Sequence, residues 1–261
     1  DISRFVEIDK AGNESIIFTP GYYFDGSLTY AKNLVAWTEY AYDPRWENRN
    51  FSVIKTLDLN TGKVKTLTKK TRYFAPSFSA DGEKIVCVEV TEDQKYKLVI
   101  INVADGNILR EIQSSTNDFY SYPSFSGDGR LVVATAIGDF GNRIVMFDLQ
   151  NNDITYLTEP GYTEIFSPVF WNNKIVFVGA YSGINNLYLL DIKSKHISQL
   201  SFVEYGLTDP FALPGGNILF SNYTADGYDV VEISTNDEHL LPLSKVKDES
   251  VKLYKPLAKQ A

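Results

Sequence analysis

The sequence predicts an all-β repeat protein built from four-stranded antiparallel sheets. Three observations carry that prediction. First, one phrase recurs at a period in the forties: "APSFSADGEKIVCVE" begins at Ala75 and "YPSFSGDGRLVVATA" at Tyr122. With Pro76 and Pro123 as anchors 47 residues apart, further copies fall at Pro168, Pro210 and Pro256, and upstream at Gly26. A period of this length is the mark of repeat architecture. Second, each copy has one grammar, in which short alternating strands are separated by polar turns. Third, no stretch has helical periodicity, and the aromatic fraction of 14% suits pleated surfaces.

Within a copy, a short strand surrounds the anchor proline. The turns "ADG" at 80–82 and "GDG" at 127–129 follow, where Gly82 and Gly129 are expected at positive φ. An apolar second strand comes next ("KIVCVEV", "RLVVATAI", "KIVFVGAY", "NILFSNY"). The third strand alternates ("YKLVIINV", "RIVMFDL", "NLYLLDI", "YDVVEIS"), and a fourth closes the unit ("KVKTLT", "DITYLT", "HISQLS", "HLLPLS"). Four-stranded units repeated radially describe a six-bladed β-propeller, whereas a sandwich would not require near-identical phrases at fixed spacing.

In chain order, residues 2–18 match the third and fourth strands of a blade. Complete blades are expected over about 19–68, 69–115, 116–159, 160–202 and 203–245. Residues 250–261 match a first strand. The sixth blade is therefore expected to be a composite of both ends, and no stretch supplies its second strand. The chain opens without Met and shows no signal peptide, so it reads as a mature form or a domain excised from a longer polypeptide.

Lys plus Arg number 25 against 33 Asp plus Glu, a net charge of −8 with no basic stripe. That argues against nucleic acid and anionic membrane surfaces as partners. No apolar run is long enough to span a bilayer. The single cysteine, Cys87, sits in an apolar strand and reads as a buried core residue.

The pattern "PSFSxDGxxIV", followed by "LxxxD" and "xxLT" strands, resembles the TolB-like propeller repeat. Relatives of that repeat also occur in prolyl oligopeptidase-type enzymes. The resemblance is clearest at 73–110 and 120–158 and weakens where the Asp-Gly turn becomes "WNNK" and "PGGN". It implies a protein-binding platform in the periplasm or cell envelope, or a domain beside an enzymatic one. A fold transfers architecture, not activity.

The chain carries no nucleophile elbow, P-loop, zinc pattern or dinucleotide fingerprint. Its two histidines, His196 and His239, begin fourth strands and read as surface residues. No cofactor is expected. Asp25 and Asp209 precede anchors, and a carboxylate pair there could hold a hard cation such as calcium. Binding is expected instead from loops, where rigid scaffolds usually carry it. The insertion "EYAYDPRWENRNF" at 39–51 offers Tyr42, Arg45, Trp46 and Arg49. Other loops offer Phe140, Tyr162, Tyr181, Tyr205, Tyr223 and Tyr228. Tyr, Trp and Arg are the residues enriched at interface hot spots. The leading expectation is thus a non-catalytic platform for a protein partner or a neighbouring domain of the same polypeptide. The alternative is a carboxylate- or metal-dependent lyase or hydrolase acting on a saccharide at the channel mouth.

Overall fold

A computed structural model describes residues 2–24, 26–46, 48–113, 115–234, 240–250 and 252. The chain is all-β. An antiparallel ribbon pairs β1 (Phe5–Ile8) with β2 (Glu14–Phe18). A four-stranded sheet follows from β3 (Thr29–Ala31), β4 (Leu34–Tyr42), β5 (Asn50–Asp58) and β6 (Lys63–Thr66). The next comprises β7 (Tyr73–Phe78), β8 (Lys84–Val90), β9 (Tyr96–Asn102) and β10 (Ile108–Ile112). The third comprises β11 (Phe119–Phe125), β12 (Leu131–Gly138), β13 (Gly141–Asp148) and β14 (Asp153–Tyr156). The fourth is built from β15 (Ile165–Trp171), β16 (Lys174–Gly179), β17 (Asn186–Asp191) and β18 (Ile197–Gln199). The fifth has β19 (Leu207–Ala212), β20 (Ile218–Thr224) and β21 (Gly227–Ile233). Among the described residues there are thus five blade-like sheets in sequential order rather than six. The strand expected near Pro256 lies outside the described residues.

One strand differs from expectation. The stretch "HLLPLS" does not close the fifth sheet. Its β22 (Leu241–Pro242) pairs antiparallel with β18, which gives the fourth sheet five strands and leaves the fifth with three. Packing accounts for this choice. Leu243 and Val246, just beyond β22, reach the apolar cluster of Ile175, Phe177 and Leu190, where Ile197 of β18 also packs. Pro242 has no N–H to donate, so it suits the edge position it takes.

By contact density the chain divides into two compact units, Asp1–Val132 with Phe147–Ile154, and Val133–Met146 with Thr155–Ala261. The first has a core of Ala36, Ile54, Tyr73, Ile85, Cys87, Val99 and Ile101. Cys87 is fully buried in this core, as expected, and that burial pushes its thiol far above its ordinary pKa. A second cluster joins Phe5 and Phe18 of the ribbon to Trp37, with ring centroids 5.3 and 5.4 Å from the indole. The other unit is held by Phe177, Tyr188 and Leu190, and by Val176, Leu187 and Phe220. Among the described residues no helix is long and apolar enough to cross a membrane.

The repeated phrase has a local cause. In "SFSADGEK" the Ser79 hydroxyl donates to Asp81 Oδ1 (2.5 Å), and that oxygen accepts the Glu83 N–H. Gly82 N–H closes the turn on the Ser79 carbonyl at 2.9 Å. Ser126, Asp128 and Gly129 repeat the arrangement. Gly82 and Gly129 have φ of 74° and 68°, as the turn requires. A Cβ at Gly82 would also lie 3.3 Å from Lys32 Cβ. Gly82→Val should therefore cost roughly 1–3 kcal/mol, read by chemical denaturation. A variant as stable as wild type would refute the strained turn.

The anchor prolines mark bulges. Phe74 pairs with Val88 but Ser77 with Val86, so β7 carries one extra residue; β15 and β19 do the same. The residues before the four prolines, Ala75, Tyr122, Ser167 and Asp209, all have left-handed φ, between 48° and 54°. A proline at a bulge forfeits no ladder hydrogen bond, and the kink buries its ring.

Candidate functional site

The 39–51 insertion extends a hairpin instead of forming a loose loop. β4 and β5 pair without interruption from Leu34↔Asp58 to Tyr42↔Asn50. At the tip, Asp43 Oδ1 accepts the N–H groups of Arg45 (2.9 Å) and Trp46 (3.2 Å), as Asx turns do. Arg49 N–H returns to the Trp46 carbonyl, and Asp43 N–H to the Arg49 carbonyl. The backbone is thereby ordered while the side chains face solvent. Trp46 is 60% exposed and Tyr42 65%, and Arg45 and Arg49 are exposed too. Arg49 lies 5.5 Å from the Phe51 ring centroid and 3.9 Å from the Glu92 carboxylate.

The base of the hairpin is braced by residues whose role was not read from the sequence. Residues 22–24 run beside β4, with Tyr40 N–H bonded to the Tyr22 carbonyl and Phe24 N–H to the Thr38 carbonyl. Phe24 stacks on Tyr40 at 4.0 Å, and exposed Tyr22 lies 4.9 Å from Tyr40. The aromatic run "GYYF" was the available signal. Glu39 is buried on the face of β4 opposite Tyr40. It accepts from Trp37 Nε1 at 3.0 Å, from Gly21 N–H at 3.1 Å and from Lys55 Nζ. Burial pushes its pKa up, but the Lys55 and Trp37 hydrogen bonds and the Lys55 charge outweigh that, holding the carboxyl below its ordinary value.

The other unit carries two further aromatic groups. Phe140 (73% exposed) and Tyr162 (84%) sit on loops fastened by paired Asn142–Gly161 backbone hydrogen bonds of 2.7 and 3.0 Å. Gly141 permits this approach: its φ is 108°, and a Cβ there would lie 2.2 Å from the Gly161 carbonyl oxygen. Tyr223 and Tyr228 meet across the β20–β21 hairpin with centroids 4.9 Å apart. Tyr223 N–H bonds to the Gly206 carbonyl, next to Tyr205, and all three tyrosines are exposed. Tyr181 lies elsewhere. It packs on Phe177 and Tyr188, and burial pushes its hydroxyl pKa up to about 12.

Asp25 and His239 lie outside the described residues. Asp209 is exposed and accepts from its neighbour Thr208 at 2.7 Å; His196 is exposed. Among the described residues, no group of three or more His, Cys, Asp or Glu is gathered closely enough to hold a metal ion.

No protein-family model and no curated protein matches this sequence. Solved structures do match in shape. TolB from Acinetobacter baumannii superposes with a TM-score of 0.70 at 17% identity, over 93% of this chain and 60% of that one. A putative TolB from Agrobacterium tumefaciens gives 0.69 at 15% identity, covering 88% and 84%. The chain has the TolB-type β-propeller fold. An oligogalacturonate lyase in complex with manganese shares the arrangement at a TM-score of 0.61 and 14% identity, covering 90% and 72%. This propeller thus spans 60% of the Acinetobacter TolB chain, and its fold is common to proteins described as TolB and as a lyase.

Proposed function

We propose that this propeller is a non-catalytic binding platform that holds a protein partner, or a neighbouring domain of its own polypeptide, against exposed aromatic loops. The observation that carries this reading is the β4–β5 hairpin tip. Its backbone is ordered by Asp43, yet it presents Trp46, Tyr42, Arg45 and Arg49 to solvent. An ordered, exposed Trp and Arg pair supplies contact area at low entropic cost. Phe140, Tyr162, Tyr205, Tyr223 and Tyr228 offer further contacts of the same kind. The platform role requires no cofactor, and the TolB-type fold supports the periplasm or cell envelope as its setting.

Trp46→Ala tests the reading. Unfolding should change by only about 0.5 kcal/mol, as at ordinary surface sites. A photo-crosslinking residue at position 45 should capture a discrete partner in the cell of origin. The alanine variant should bind that partner with roughly 2 kcal/mol or more lost, measured by calorimetry. A destabilised fold with unchanged partner binding would make the hairpin a structural brace. Saturable binding and cleavage of oligogalacturonate would instead favour a saccharide enzyme.

The same proposal includes a sixth blade made from β1, β2 and residues 250–261. Deleting residues 250–261 should then leave an unpaired edge, and lower solubility and melting temperature. A deletion variant that stays monomeric and equally stable would remove the sixth blade from the proposal.

A further inference from the structure

The three-stranded fifth sheet has a feature the hairpin reading does not use. Its order, β19–β20–β21, leaves the outer side of β21 without a strand among the described residues, because β22 pairs with β18 instead. The third strands of the second and fourth sheets, β9 and β17, bury most of their residues. In β21, by contrast, Tyr228 is 65% and Val230 62% exposed, while Val231 and Ile233 pack on the cluster of Val176, Leu187 and Phe220. One face of the strand is anchored, and one edge is open. An open edge is a template for another strand.

Charge selects among the occupants. Between Lys195 and Lys245 the chain has no Lys or Arg, and it carries seven carboxylates, Asp226, Asp229 and Glu232 of the β20–β21 hairpin among them. A second copy of this acidic sheet would bring like charges together, whereas a cationic strand would meet complementary ones. We propose that the outer edge of β21 takes up an extended, basic segment of a partner protein as a fourth strand. Backbone hydrogen bonds supply the pairing, Val230 and Tyr228 cover apolar side chains on one face, Asp229 on the other face favours Lys or Arg, and Glu232 adds to the negative charge of the edge.

The probe is a fluorescein-labelled nonapeptide of alternating lysine and valine, titrated into the full chain by anisotropy. Saturable binding is expected, with hydrogen-exchange protection of amides in 228–233. The same peptide N-methylated at alternate residues keeps its charge but cannot add as a strand, and should bind at least tenfold more weakly. D229K/E232K should lose binding to a similar extent, while W46A should leave it unchanged. The last result keeps failure here separate from failure of the hairpin reading. Equal binding of the N-methylated peptide, or protection outside 228–233, would overturn the proposal. So would dimerisation that protects these amides, which would make a second copy the occupant. Binding that appears only after residues 253–261 are deleted would make the chain's own tail the occupant, and would overturn it as well.

Discussion

Glu39→Ala should destabilise the protein by about 3 kcal/mol, at the lower end of the range for breaking a buried ion pair. The substitution orphans three donors at once: Trp37 Nε1, Gly21 N–H and the partly buried Lys55 ammonium. For a chain of this size the expected fall in melting temperature is about 6–12 °C. Acid should act in the same direction. The folded-state pKa of Glu39 lies below its ordinary value, so its contribution is present above the unfolded-state pKa of about 4.3 and is lost as pH falls through the folded value. Glu39→Gln removes that contribution at neutral pH, so its stability should fall less steeply than wild type's between about pH 5 and 3. Parallel pH profiles for the two proteins would show that Lys55 and Glu39 do not act as a pair. Because Glu39 holds Gly21 next to Tyr22, whose carbonyl accepts the Tyr40 N–H, its loss should also raise hydrogen exchange in β4 near Tyr40–Tyr42.

Gly141→Val should cost about 3 kcal/mol or more. Two penalties act together: a β-branched residue at a φ of 108°, and a Cβ driven against the Gly161 carbonyl at 2.2 Å. The cheapest relaxation is to part the loops bearing Phe140 and Tyr162 by breaking the Asn142–Gly161 pair. Chymotrypsin, which cleaves after aromatic residues, should then cut at both sites faster than in wild type, at temperatures where the core stays folded. Unchanged cleavage and stability would mean that the two loops are not held together by this contact.

The sequence alone determined the sheet repeat, because its signals are local. Asp-Gly turns need Gly82 and Gly129 at positive φ, and short apolar runs such as "KLVII" or "LYLL", bounded by polar turns, have the length of buried strands. It also identified the exposed Trp46 and Arg45, since they fall in residues added beyond the repeat frame. The bulges were half legible: the prolines were visible, but the left-handed residues before them were not, because Ala, Tyr, Ser and Asp share no local preference for that conformation. Tyr181 looked equivalent to the other loop tyrosines, yet its ring is claimed by Phe177 and Tyr188.

Tertiary structure decided the partners of polar and marginal segments. Glu39 is an unremarkable strand residue until Lys55, Trp37 and Gly21 converge on it from positions 16, 2 and 18 residues away. "HLLPLS" has the pattern of any fourth strand. Two residues of pairing are too few to fix a strand's neighbour, so the apolar contacts of Leu243 and Val246 settled it on β18 and left the outer side of β21 without a strand among the described residues. Local pattern specifies which residues become strands, because it depends on turn chemistry and the period of two. The choice of neighbouring strand depends on which buried surface rewards the pairing, and that becomes definite only once the sheets have packed.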